Sequence, residues 1–198
     1  MTRIVFASGN PGKSREVAEL FADLAVTLVP QGELGIESPP ETGTTFVENA
    51  LLKARFAAGK TGLPAMADDS GLAVDALGGR PGVRSARYAG DGASDAANVD
   101  KLLEELADVP DAERGAAFQC AAVLVWPQDV REPLVAEAEW RGRVLRQRRG
   151  AGGFGYDPVF LDPDAGRTGA EMSGAEKNRV SHRGKAFRAL QRLLEAAL

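Results

Sequence analysis

The segment Ser8-Gly9-Asn10-Pro11-Gly12-Lys13 follows an apolar run and leads into a helical pattern. A strand, a glycine-rich turn and a helix N-terminus together present backbone N–H groups and the positive end of a helix dipole. Lys13 falls in the first helical turn, where a cation is disfavoured by about 0.3–1 kcal/mol. A phosphate held between lysine and amides would reverse that sign, so the loop reads as a phosphate cradle. The adjacent pair Asp68-Asp69 closes a short apolar run ahead of Ser70-Gly71. Neighbouring strand residues face opposite sides, so one aspartate points into a site while the other orients backbone or water. Glu41 in the preceding loop, together with an aspartate, suits Mg²⁺, which takes oxygen ligands, keeps several waters and bridges protein to phosphate.

A third group combines Phe154-Gly155-Tyr156-Asp157 with Lys177 and His182-Arg183. The two aromatics flank a glycine, which lets a flat ring approach the backbone, and base stacking on an aromatic contributes ~1–3 kcal/mol. Asp157 as acceptor and Arg183 as donor are the types that read a base edge. Two other motifs fail on context. Gly12-Lys13-Ser14 resembles the end of a P-loop, but the first glycine of that motif would fall on Ala7. Residues 150–155 match GxGxxG letter for letter, yet Tyr156-Asp157-Pro158 leads into a β-rich run instead of opening a helix.

These residues need elements to hold them. Arg3–Ala7 reads as a buried strand, and the helix after it starts with Asn10 as N-cap and Pro11 at its first position. Val17, Leu20, Phe21 and Leu24 form its apolar stripe. Val26–Val29 is a second strand. Thr45 and Glu48 make a capping box for a helix through Ala58, closed by Gly59. Pro64–Ala67 is a short strand, and Leu72–Val83 is turn-rich. Ser94 caps a helix with Val99, Leu102, Leu103 and Leu106 on one face. Ala116–Trp126 and Leu134–Trp140 read as an antiparallel pair across the 127–133 connection, with further strands at Arg143–Gln147 and Pro158–Leu161. Arg141–Arg149 reads as a solvated strand face. A last amphipathic helix turns Phe187, Leu190, Leu193, Leu194 and Ala197 inward. Helices and strands alternate first and strands cluster later, so the fold class is α/β with a mixed central sheet flanked by helices.

Composition narrows the chemistry. The 198 residues, 44% of them hydrophobic, suit one domain spanning 1–198, built as two lobes, and exclude a disordered chain. One Cys excludes an internal disulfide framework or thiolate cluster, and one His excludes a multi-histidine metal site within a single chain. Residues 1–140 carry 12 Lys+Arg against 22 Asp+Glu, whereas residues 141–198 carry 12 against 6. That split suits a metal and a polyanion closed in one cleft between two lobes, and the overall charge of −4 argues against nucleic acid as a stable partner. The opening apolar run is too short for a signal peptide, and the stretch 120–126 is too short to cross a bilayer. A soluble, cytoplasmic protein with no membrane partner is expected.

Six ordered segments resemble the inosine/xanthosine triphosphate pyrophosphatase family. They are Ser8 to Lys13 with Glu16; Glu41-Thr42-Gly43 with Phe46 and Glu48-Asn49; Ala67 to Leu72; Gly78 to Gly82 with Ser85 to Tyr88; Gly152 to Pro158; and Glu176-Lys177-Asn178 with Ser181 to Gly184. The resemblance implies a Mg²⁺-dependent hydrolase that splits ITP, dITP or XTP into a nucleoside monophosphate and pyrophosphate. It places the triphosphate on Ser8, Gly9, Asn10, Pro11, Gly12 and Lys13, with Lys13 offsetting charge on the leaving group. Asp69 is then the proton acceptor for water, and Glu41, Asp68 and Asp69 are candidate metal ligands. Ser70 touches phosphate or sugar, while Phe154, Gly155, Tyr156, Asp157, Lys177, His182 and Arg183 line the nucleotide pocket. It also implies a homodimer. Two rivals remain open: a similar-fold pyrophosphatase for pyrimidine or modified nucleotides, and a nucleotide-binding module that needs no Asp69.

Overall fold

The computed structural model describes residues 2–22, 26–129 and 131–197. In chain order the elements are β1 (Thr2–Phe6), α1 (Pro11–Leu20), β2 (Val26–Pro30), α2 (Phe46–Thr61), β3 (Ala65–Val74), α3 (Asp95–Glu105), β4 (Gly115–Val125), β5 (Leu134–Val144), β6 (Phe160–Asp162), β7 (Arg167–Thr168), α4 (Gly174–Val180) and α5 (His182–Ala197). The seven strands form one sheet in the order β2-β1-β3-β4-β5-β6-β7. β1 runs parallel to β2 and β3, whereas β6 is antiparallel to β5 and β7, so the sheet is mixed as the alternation implied.

Several boundaries differ from the sequence expectation for physical reasons. β3 extends ten residues through Val74, so Asp68-Asp69 lie within a strand instead of at its end. α2 continues through Gly59 to a left-handed Gly62 with φ 67°, because only the second glycine takes up the terminating conformation. β5 continues through Gly142 to Val144, absorbing the start of the separately expected strand at Arg143. Helix α4 follows Ser173, whose hydroxyl accepts from the Glu176 amide. Leu193 is 41% exposed, leaving Ala186, Phe187, Leu190 and Leu194 as the buried face of α5. Leu24, expected on the first helix, lies outside the described residues. No described helix is long and apolar enough to cross a membrane.

The chain divides into two compact units. The first comprises 1–69, 120–138 and 183–198 and has two apolar layers. Alternation along the strands creates them. Ile4, Phe6, Met66, Cys120, Ala122 and Leu124 pack with Val17 and Phe21 from the α1 region and with Phe187, Leu190 and Leu194 of α5. The alternate residues Val5, Ala7, Ala65, Ala67, Val123 and Val125 pack with Ala50, Ala54, Ala57 and Ala58 of α2. The second unit comprises 70–119 and 139–182. Its core gathers Leu72, Val74, Leu102, Leu106, Phe118, Trp140 and Phe160, and the Trp140 indole N–H donates to Asp162 at 2.8 Å.

Both lysines assigned to binding sit on helices whose ends are capped by side chains. For α4, Ser173 and Glu176 form a capping box, and Arg167 pairs with Glu176 at 2.9 Å. The Arg167 guanidinium, then the Ser173 amide and hydroxyl, hold the Glu176 carboxyl down at about 2 against its ordinary 4.5. The stabilisation is therefore complete above the ordinary carboxylate range and disappears as pH falls through about 2. Glu176→Gln should lower Tm at pH 7, and its difference from the parent should close as pH is lowered toward 2, as thermal unfolding across pH will show.

Candidate active site

At the start of α1 the chain caps itself. The Asn10 side-chain oxygen accepts from the amides of Gly12 (2.8 Å) and Lys13 (3.1 Å), Pro11 has no N–H, and the Asn10 amide donates to the Ser8 hydroxyl (3.2 Å). The expected row of open amides is thus already taken by Asn10, and the unit's offering to an anion rests on Lys13, Gly9 and the exposed rim of this turn. The Lys13 ammonium lies 3.0 Å from Asp68 Oδ2.

Alternation in β3 decides where the two aspartates go. Asp68 shares its side of the strand with Met66, the side covered by α1 and α5. There its Oδ2 meets Lys13 and, at 3.2 Å, Arg183 Nε, while Arg183 Nη1 reaches Glu16 on α1. The Cys120 thiol lies 3.9 Å from the same oxygen. Burial pushes the Asp68 carboxyl up, but Lys13, then Arg183 and Lys53, outweigh it and hold it well below the usual range. Its second oxygen, Oδ1, is buried without a hydrogen-bond partner.

Asp69 shares its side with Ala67, the side covered by α2. The alanines of that helix let it lie close to the sheet, which brings Asn49 and Lys53, one turn apart, onto the carboxylate. Asn49 Nδ2 donates to Asp69 Oδ2 at 3.1 Å, and Lys53 Nζ lies 3.4 Å from Asp69 Oδ1 and 2.8 Å from Glu41 Oε1. Burial pushes the Asp69 carboxyl up, with Glu41 adding to it, against the opposing pull of Lys53 and Lys13. For Lys53, burial acts downward, but Asp69, Asp68 and Glu41 together raise it. A cation therefore already sits between two carboxylates. Those hard oxygen donors fit Mg²⁺, which is commonly held by one or two carboxylates with phosphate and water completing its shell. No described group of three or more His, Cys, Asp and Glu side chains forms a protein-only metal cage.

In the second unit, Asp157 is the organising acid. Its Oδ2 accepts from Lys177 Nζ at 2.5 Å and from the Phe154 amide at 2.9 Å. Lys177 Nζ also lies 4.7 Å from the Phe154 ring centroid, a cation–π contact that holds this half-buried ring. Gly153 has φ 70°, and a Cβ there would come within 2.1 Å of Asp157, so glycine is required by both conformation and space. The Gly155 amide donates to Asp95 at 2.7 Å. Tyr156 is only 4% exposed and its hydroxyl donates to the Ser85 carbonyl at 2.8 Å, so it anchors the turn from the core while Phe154 is the ring toward the surface. His182 stacks on Phe118 with ring centroids 4.7 Å apart and planes at 9°. Ser70 follows Asp69, half-buried, and the next residue must be glycine: a Cβ on Gly71 would stand 2.3 Å from the Gly82 carbonyl.

The sequence-derived residues thus fall into two sets. Glu41, Asp68, Asp69, Lys13 and Arg183 belong to the first unit; Ser70, Phe154, Gly155, Tyr156, Asp157, Lys177 and His182 belong to the second. Arg183, expected to read a base edge, is 2% exposed with its guanidinium on Asp68 and Glu16. Asn49 and Lys53 are functional neighbours that the residue-by-residue reading gave no role. Their signal was present: a lysine and an asparagine one turn apart beside the alanine face of α2, where an ordinary buried stripe would be apolar.

Residues 4–193 match the Ham1 family. A dITP/XTP pyrophosphatase of Pectobacterium atrosepticum is 56% identical over 190 residues, covering 96% of each chain, and one of Yersinia pestis is 57% identical over 188 residues, covering 95% of each. Among solved structures, a HAM1 protein from Coxiella burnetii superimposes with a TM-score of 0.90 at 47% identity, covering 99% of this chain and 100% of that one. The Staphylococcus aureus Ham1 protein gives 0.87 at 39% identity, with full coverage of both. With matches of this length and identity behind a mixed α/β sheet and its carboxylate-bearing third strand, the chain belongs to the Ham1 family.

Proposed function

We propose that this chain is a Mg²⁺-dependent nucleoside triphosphate pyrophosphatase that hydrolyses ITP, dITP and XTP to the nucleoside monophosphate and pyrophosphate, keeping these purines out of nucleic acid. The relatives named dITP/XTP pyrophosphatase support the substrate class. The observation that carries the chemistry is the division of Asp68 and Asp69 between two different cationic surroundings. The whole chain, 1–198, acts as one catalytic domain, in the cytoplasm and as a homodimer.

In this reading water adds to the α-phosphorus, the bond from that phosphorus to the α–β bridging oxygen breaks, and pyrophosphate leaves. Asp69 accepts the water proton: its carboxyl is the one on which burial prevails over the nearby lysines, which makes it the better base of the pair. Asn49 and Lys53 fix its two oxygens. Glu41 and Asp69 would hold Mg²⁺ on the α2 side, whereas Asp68, also expected as a ligand, faces α1 and α5; the bound ion would neutralise phosphate charge. Asp68 holds Lys13 in position through Oδ2, and Lys13 with Lys177 offsets charge that builds on the leaving group. Ser8, Gly9, Asn10, Pro11 and Gly12 take the triphosphate, which requires Asn10 to yield the two amides it now caps. Ser70 contacts phosphate or sugar.

The base stacks on Phe154, whose ring is held by Lys177 and whose backbone is held by Asp157. Hypoxanthine and xanthine present a 6-oxo acceptor and an N1–H donor, and adenine presents the reverse. With Arg183 committed to carboxylates, the donor to the 6-oxo group is a backbone N–H near His182. A buried mismatch on that edge discriminates by several orders of magnitude.

Three outcomes are expected. In a panel with pyrophosphate and orthophosphate measured separately, ITP, dITP and XTP should release pyrophosphate at a kcat/KM at least about a hundredfold above ATP, UTP and dTTP; equal or preferred use of pyrimidines would overturn the assignment. Asp69→Asn should lower kcat about 10²–10⁴-fold with Mg²⁺ present. Lys53→Met should lower kcat while the protein remains folded by circular dichroism, since it leaves Asp69 and Glu41 without their shared cation.

A further inference from the structure

The Arg141–Arg149 run, read from sequence as a solvated strand face, lines a cavity. Its volume is about 370 Å³, and its walls are Arg114, Asp111 and the segment 143–149, which includes Arg143, Arg146, Arg148 and Arg149. Five arginines thus line one space, with a single carboxylate, Asp111, among the lining residues. Three of them have carboxylate partners: Arg146 with Asp111 at 2.6 Å, Arg148 with Asp100 at 2.9 Å, and Arg149 with Glu171 at 3.0 Å. Neither Arg143 nor Arg114 has one among the described residues.

Arg114 is the informative member. It is 2% exposed, and its three hydrogen bonds all go to neutral carbonyls: Nε to Val144, Nη1 to Leu106 and Nη2 to Leu145. Two of its five N–H groups are left over, one on each terminal nitrogen. The carboxylate nearest it in the lining, Asp111, is ion-paired with Arg146, so Arg114 has no carboxylate of its own, and cation-rich cavities attract the anion that completes them. Burial, followed by the neighbouring Arg146 charge, lowers the Arg114 pKa from its ordinary value, with Asp111 opposing them only in part.

We propose that this cavity binds a small phosphate polyanion of the pyrophosphate class, at a site separate from every residue assigned to the reaction. The volume falls at the lower end of the range for ligand pockets and has room for one or two phosphoryl groups. Planar guanidinium forks are matched to phosphate oxygens, and several of them together favour a multiply charged anion over chloride. The source of the anion is either free pyrophosphate or the terminal phosphates of a nucleotide whose base remains outside.

Amide chemical shifts of the full chain, followed by ¹H–¹⁵N NMR without metal, test the site independently of turnover. Pyrophosphate should move the resonances of Val144–Arg149, orthophosphate should do so more weakly, and ITP should reproduce the shifts only if its phosphate tail is the source. Arg143→Gln and Arg148→Gln, neither of which belongs to the reaction, should each weaken that response about tenfold or more while leaving ITP turnover and Tm unchanged. Lys13→Ala should leave it intact, which separates the cavity from any pyrophosphate held as product. Absence of shifts at 143–149, shifts unaffected by both arginine variants, or tighter binding of a single-stranded oligonucleotide than of pyrophosphate would overturn the proposal. A catalytically inert protein that still shows the shifts would contradict the proposed function alone.

Discussion

A strand sends consecutive side chains to opposite sides, and β3 places two aspartates in succession where both sides are covered. Each carboxylate leaves water, at a cost of several kcal/mol, and each must find its own compensation. On one side Lys13 and Arg183 supply it; on the other Lys53 and Asn49 do. The arrangement of α1, α2 and the start of α5 against the first unit's sheet can be read as the solution to that constraint. Small residues on α2 permit close approach, and apolar residues of α1 and α5 fill the opposite layer.

The two surroundings make the aspartates chemically different. Asp68 is held well below the usual carboxylate range by cations that outweigh burial, so it remains a fixed negative charge that positions Lys13. Asp69 lies where burial and Glu41 prevail over its lysine neighbours. In the proposed mechanism one is an anchor and the other a base, a separation produced by environment and not by residue type. Arg183 belongs to the anchor. Its guanidinium, with Glu16 as second partner, holds Asp68.

Much of this was legible in the sequence. Asn10 and Pro11 named the start of α1, Thr45 and Glu48 the start of α2, and Ser94 the start of α3, because side-chain capping is local. The alternation argument for Asp68-Asp69 held, although the strand continues five residues past Asp69. What sequence could not give was partnership across long separations. Arg183 and Asp68 stand 115 residues apart, and Lys53 and Asp69 sixteen. Residue type made Arg183 a candidate base reader; only packing shows that its Nε and Nη1 are paired with Asp68 and Glu16. Likewise Tyr156 and Phe154 look equivalent on either side of Gly155, until the Ser85 carbonyl fixes one of them in the core.

The division of labour between the two aspartates is tested most directly by Mn²⁺ binding, read by electron paramagnetic resonance in the presence of a non-hydrolysable α,β-methylene ITP. Glu41→Gln and Asp69→Asn should abolish tight Mn²⁺ binding, whereas Asp68→Asn, kept folded, should retain it with only modest weakening. Loss of the metal in Asp68→Asn with retention in Asp69→Asn would contradict the assignment of anchor and base.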